Sequence, residues 1–175
     1  MWGVGAMGTQ QDERKQRLQE RLALGRESFL AAVAALDERE LAEQVWADGG
    51  HWNGREMIAH VAYAESGMLM LIAATIEGKP PQADPAFDID RYNEGRLRRA
   101  KDQMVPELLA QMETARQETL QRLDQASDAE LDLPAYHPVI KETTVEGIFR
   151  VIAFHERMHA KDLRTLHERP RTATD

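Results

Sequence analysis

At 175 residues the chain has the length of one domain with a real core, and 42% hydrophobic with 30% charged residues suits a folded amphipathic helical protein rather than a disordered one. A net charge of −8 and a pI near 5.3 disfavour nucleic acid as a partner, since a backbone binder needs a basic face. The sequence has no cysteine, which excludes disulfides, thiolate metal sites and a cysteine nucleophile, and leaves His and carboxylate as metal ligands.

The opening, MWGVGAMGTQQDERKQ, has neither a basic n-region nor an apolar h-region, so no signal peptide is expected and the expected location is cytoplasmic. Met7 is a second candidate start. Residues 11–37 read as the first helix, with Leu18, Leu22, Leu24, Phe29, Leu30, Val33 and Leu36 as its stripe and Gly25 as an interruption. LDERELAEQV either continues it or forms a short turn of its own, and Asp48-Gly49-Gly50 reads as a stop.

The second long helix has clear start signals. Asn53 is the N-cap, Glu56 stands at N3, and Trp52 precedes them at N′. It ends at Gly78, before Lys79-Pro80-Pro81. Its inward stripe reads Ile58, Val61, Ala62, Glu65, Met68, Leu69, Ile72, Ile76, with His60 on the edge. Glu65 in the middle of an apolar face is costly unless paired, so it is expected to be buried and hydrogen-bonded. The most apolar run, Met68 to Ile76, is short for a membrane span, and no membrane partner is expected.

KPPQADPAFDID, residues 79–90, is the longest irregular connection. A third helical region spans Asp90 to Gln125 and breaks or kinks near Pro106, which is acceptable in a first turn. Arg96, Arg98, Arg99 and Lys101, the one basic cluster, read as a solvated face of this region. Leu108, Leu109, Met112, Ala115, Thr119, Leu120 and Leu123 recur at helical spacing. Ser127 to Glu142 reads as a loop. No strand pattern and no repeat is visible, so the expected fold is all-α: one four-helix bundle with long connections over residues 10–168, between a disordered start (1–9) and a disordered tail (169–175).

The last helix, TTVEGIFRVIAFHERMHAKDLRTLHE, opens with a capping box of Thr143 and Glu146. Its stripe is Ile148, Ile152, His155, His159, Leu163. Four residues apart, His155 and His159 lie about 40° apart around the axis and about 6 Å apart along it, so both imidazoles can converge on one ion. The string His155-Glu156-Arg157-Met158-His159 also matches the zinc-protease signature H-E-x-x-H. That reading fails, because no Gly-containing turn with a further His follows, no Glu sits on a later helix, and no strand-rich domain precedes. Glu156, about 100° round from His155, should face solvent or a neighbouring helix.

A third ligand must then lie upstream. His51, His137 and His167 default to structural or exposed roles. If the second and last helices are neighbours, His60 can meet the pair near one end of the core, giving three nitrogens and open positions.

Trp52 before a helix carrying Glu56-x-x-x-His60, then Tyr63 and Glu65, Arg91-Tyr92-Asn93 at the start of the third region, and His155-x-x-x-His159 together resemble the DinB/YfiT-like superfamily over about residues 10–168. That superfamily includes the metal-binding domain of mycothiol-dependent maleylpyruvate isomerase. The resemblance implies a four-helix bundle holding a divalent metal, zinc or nickel, on three histidines: His60, His155 and His159. It also implies a thiol S-transferase or hydrolase acting on a small-molecule substrate, with a low-molecular-weight thiol as a further cofactor. Glu65, Asn93 and Tyr63, with Trp52, are candidates for supporting or pocket residues. The alternative is a non-enzymatic binding or stress-response protein whose metal is only structural. A homodimer is expected, and an apolar face left over once the core is filled would support it.

Overall fold

The computed structural model describes residues 4–47 and 50–168, with side chains over 11–45 and 52–168. Four long helices, α1 (Val4–Ala34), α3 (Gly54–Ile76), α5 (Val105–Gln125) and α7 (Val145–His167), carry the core. Three shorter ones, α2 (Glu38–Ala42), α4 (Ile89–Ala100) and α6 (Asp128–Leu131), lie in the connections. Two antiparallel hairpins complete the described chain: β1 (Gln44–Ala47) with β2 (Gly50–Asn53), and β3 (Pro134–His137) with β4 (Lys141–Thr144).

The four-helix bundle is as expected, but the expectation of no strands is corrected. Each strand has four residues, too few for a period of two to register in the sequence. The stop read at Asp48-Gly49-Gly50 falls partly outside the described residues, yet Gly50 pairs with Ala47 in the first hairpin. The loop read over Ser127 to Glu142 holds α6, capped by Ser127 and Glu130, and most of the second hairpin.

α1 already runs from Val4, inside the stretch 1–9 read as a disordered start; residues 1–3 and 169–175 lie outside the described residues. LDERELAEQV takes the second of its two readings: α2 is a separate turn, closed by a capping box of Asp37 and Glu40. α3 starts as predicted, with Asn53 accepting from Glu56 N–H and Glu56 accepting from Asn53 N–H. It ends before Gly78, whose φ of 74° suits glycine. The third region breaks at residues 101–104, and Pro106 sits in the first turn of α5.

α7 begins one residue later than predicted. Its cap is Thr144, accepting from Gly147 N–H, while Thr143 pairs with Ala135 in the second hairpin. The expected partner Glu146 turns to Arg14 and Arg150 instead.

Two apolar clusters fill the bundle. Leu18 and Leu22 of α1 meet Met68 and Ile72 of α3, Leu123 of α5 and Val145–Ala153 of α7 at one end. Phe29 and Val33 meet Met57–Ala62, Leu108, Met112 and Ala160–Leu166 at the other. Read along each helix, this order makes α1 parallel to α7 and α3 parallel to α5, with the two pairs antiparallel. The connection through α4 carries the chain back between the parallel pair.

Leu18, Leu22, Phe29 and Val33 of the predicted α1 stripe are buried, but two of its members are exposed. Leu24 is 62% and Leu30 38% exposed, and Arg26 is buried in their place. Gly25, read as an interruption, is the point of closest approach: a Cβ there would stand 2.6 Å from the Ala153 carbonyl oxygen. α3, at 23 residues with an 18-residue stretch of mean hydropathy 1.5, is long and apolar enough to cross a membrane, which corrects the reading from its most apolar run alone. Its buried face is committed to the bundle core.

Between the two clusters lies one charged layer. Arg26 of α1, Glu65 of α3, Arg116 of α5 and Glu156 of α7 are all buried and contact one another. Each long helix supplies one member, at the residue that separates its two apolar segments.

Candidate metal centre

Next to this layer, on the side of the second apolar cluster, α3 and α7 bring three imidazoles together. His60 Nε2 lies 3.0 Å from His155 Nε2, which lies 3.2 Å from His159 Nε2. Ligand atoms of all three fall within 4.8 Å of one another. The i, i+4 spacing places the α7 pair, and the α3–α7 packing that seats Ala160 and Leu163 beside Met57 and Val61 brings up His60.

The ring nitrogens are set up to accept a cation. His159 Nδ1 lies 3.0 Å from Asp162 Oδ2, and a carboxylate only accepts, so Nδ1 carries the proton and Nε2 offers its lone pair inward. Burial, reinforced by His159 and Arg96, pushes the His60 pKa down to about 3. Burial also holds His155 well below the usual imidazole value, with His159, His60 and His137 adding to the effect. Both rings are therefore neutral at pH 7. One Nε2–H on His155 can serve one neighbour well, which leaves a lone pair at the third ring; a divalent ion accepts all three. This donor set, three imidazoles with a carboxylate behind one of them, fits zinc or nickel.

Trp52 covers one side of the cluster, its ring centroid 4.4 Å from that of His60 with the planes tilted by 34°. Tyr63 is half-buried, its hydroxyl donating to Gln103 Oε1 at 2.9 Å. Asn93 is half-buried on α4 and bonds to none of the three histidines. Glu65 is buried and hydrogen-bonded, as its place in the α3 stripe requires, and its partners are Arg26 and Arg116 rather than a histidine. Glu156 takes the neighbouring-helix half of its reading and not the solvent half: it is 2% exposed and bonded to Arg26 and Arg116.

Of the remaining histidines, the side chain of His51 lies outside the described residues. His167 is exposed and pairs with Glu40 at 3.2 Å. His137 is half-buried, and its Nδ1 accepts from Val139 N–H and Ile140 N–H. Asp162 went unread in the sequence, although its i+3 spacing to His159 could have found it. Arg98, Arg99 and Lys101 are exposed as the solvated-face reading has them, but Arg96 is half-buried and bonds to the Tyr63 carbonyl of α3, a contact that no local pattern announces.

The sequence profile of the DinB superfamily matches residues 17–163. No curated protein matches the sequence at a significant level. Among solved structures, YfiT from Bacillus subtilis, described as a probable metal-dependent hydrolase with an unusual four-helix bundle topology, aligns with TM-score 0.68 and 21% identity over 95% of this chain and 90% of its own. The mycothiol-dependent maleylpyruvate isomerase aligns with TM-score 0.65 and 18% identity over 83% of this chain, which spans 60% of the isomerase's length. The colibactin self-resistance protein ClbS, solved in complex with a dsDNA, aligns with TM-score 0.70 and 14% identity over 89% of this chain and 96% of its own. A DNA-bound relative means that this fold does not by itself exclude nucleic acid, and the expectation of no such partner stands on the acidic charge alone. At these identities the neighbours establish the bundle and not its chemistry. With the profile covering most of the sequence, the chain belongs to the DinB superfamily.

Proposed function

We propose that His60, His155 and His159 hold a divalent ion, zinc or nickel, and that the chain is a metal-dependent enzyme, a thiol S-transferase or hydrolase acting on a small molecule. The observation that carries this reading is the convergence of three imidazole nitrogens supplied by two helices. A divalent ion on such a site lowers the pKa of a thiol or water, giving a nucleophile near neutral pH. The chain's own part is positional. Asp162 fixes the tautomer of His159, burial keeps His60 and His155 unprotonated, and Trp52 closes one approach. A sequence with no cysteine needs its thiol from a small cofactor, or else uses water. Relatives described as an isomerase dependent on a thiol and as a probable metal-dependent hydrolase support both branches.

Metal analysis of protein purified without a His tag tests the site. One equivalent of bound ion is expected, lost in His155→Ala with helical content nearly unchanged, because the apolar clusters and not the ligands hold the bundle together. Unaltered metal content in His60→Ala would remove the site. A screen of thiol-plus-electrophile pairs and of hydrolysable esters and amides then separates transfer from hydrolysis. A metal-loaded protein inert in both arms would return the reading to a binding protein.

A further inference from the structure

The three-histidine cluster has a charged neighbour that the bundle does not neutralise. His60, Tyr63 and Gly67 stand at i, i+3 and i+7 on one face of α3, with Tyr63 about 4.5 Å and Gly67 about 10 Å along the axis from His60. Arg96 of α4 lies over that face. Its Nη1 donates to the Tyr63 carbonyl oxygen at 3.3 Å, its Nη2 donates to the Tyr92 hydroxyl, and its guanidinium carbon is 5.6 Å from the Tyr63 ring centroid and 4.9 Å from that of Tyr92.

Gly67 makes room for this arrangement. A Cβ there would already touch Arg96 Nη2 and the Tyr92 oxygen, each at 3.5 Å, so any longer side chain would displace them.

Arg96 is half-buried. Of the other arginines, the buried Arg26 and Arg116 each meet Glu65 and Glu156, the half-buried Arg14 meets Glu146, Asp128 and Asp132, and the half-buried Arg55 is spent on the backbone carbonyls of Ala100, Lys101 and Gln103. Among the described residues no carboxylate stands within ion-pair distance of Arg96. Its hydrogen-bond acceptors are a peptide carbonyl and a phenol, which are neutral. Of five guanidinium N–H donors, those left over form a planar fork suited to two oxygens of one anion. Two flanking aromatic rings hold the plane in place, so little side-chain freedom is lost when an anion docks.

We propose that Arg96 anchors an anionic group of the substrate, a carboxylate or a phosphate, and so makes the site selective for small anionic molecules whose reactive end reaches the three-histidine cluster. The anchor itself is independent of metal. Its connection to a reactive end rests on the proposed function above.

Calorimetric titration with malonate and with inorganic phosphate tests it, on protein both stripped of metal and loaded with zinc. Wild type should bind at least one of the two anions. Arg96→Gln should weaken that binding tenfold or more, Arg96→Lys should retain part of it, and Arg99→Gln, on the exposed side of the same helix, should leave it unchanged. Tighter malonate binding assigns a carboxylate and tighter phosphate binding a phosphate. The same Arg96 dependence in stripped protein upholds the anchor even if zinc fails to bind, an outcome that would sink the metal reading alone. Equal affinity in wild type and Arg96→Gln, equal losses at Arg96 and Arg99, or no anion binding in either form would overturn the anchor while leaving the metal site standing. Circular dichroism of the variants checks the fold, and Arg96→Lys, which keeps the cation and its stem, decides the matter if Arg96→Gln unfolds.

Discussion

Replacing Glu156 by Gln removes one charge from a buried layer that is neutral as it stands, with two arginines against two glutamates. Glu156 Oε1 accepts from Arg26 Nε and Oε2 from Arg116 Nη2, both at 2.8 Å. Burial pushes the Glu156 pKa up while Arg116 and Arg26 pull it back, and the net direction is upward. The layer is therefore a close contest between desolvation and pairing. A Gln side chain keeps one acceptor oxygen but points an amide N–H₂ at a guanidinium, leaving Glu65 alone between two cations. Breaking a buried pair from one side costs about 3–5 kcal/mol. That is a large share of the roughly 5–15 kcal/mol that holds a domain folded, and about 6–20 °C in Tm at this chain length.

The double variant Arg26→Met, Glu156→Leu should lose less than Glu156→Gln alone. It removes one charge of each sign and leaves Arg116 paired with Glu65 at 2.8 Å and bonded to the Leu22 carbonyl at 2.6 Å. Urea unfolding of metal-stripped protein, followed by circular dichroism, measures both. A loss below about 1 kcal/mol for Glu156→Gln, with the effects of the two sites simply adding, would refute the idea that the four charges act as one unit.

Other outcomes follow from single contacts. Gly25→Ala should destabilise by roughly 1–3 kcal/mol in the same assay, because the new Cβ meets backbone at Ala153 and the gain in helix propensity, about 1 kcal/mol, is smaller. Thr144→Ala should cost about 1 kcal/mol as the loss of the α7 cap, and Thr143→Ala clearly less; the reverse order would restore the capping box read from the sequence. Metal-stripped protein should lose stability as pH falls from about 6.5 toward 3. The depressed His60 and His155 bind fewer protons folded than unfolded, so stability rises with pH across that window, and His60→Phe should flatten the slope.

What the sequence disclosed, and what it hid, divides along the range of the physical signal. The α7 histidine pair, the Asn53 cap and the stop at Gly78 each depend on residues within one turn, and each was legible. Glu65 was legible as an anomaly, a carboxylate in an apolar stripe, although its partners were not. Arg26 and Arg116 were not singled out, because an arginine on an amphipathic helix carries no local sign of burial and their acidic partners lie on other helices. Glu156 was half legible: its angle around α7 turned it toward solvent or a neighbouring helix, and only the arginines of α1 and α5 decide for the charged layer.

The layer and the site are linked by that same angle. His155, which faces His60, and Glu156, which faces Arg26 and Arg116, are consecutive residues of α7. A rotation of α7 that relaxed one set of contacts would break the other, so the layer fixes the rotation that the histidine cluster requires. On α3 the same constraint acts through Glu65, five residues beyond His60 and bonded to both arginines. A bundle packed by apolar residues alone could slide or turn its helices at little cost, since such contacts are not directional. Four paired charges, one from each long helix, leave a single register, and in that register His60, His155 and His159 meet.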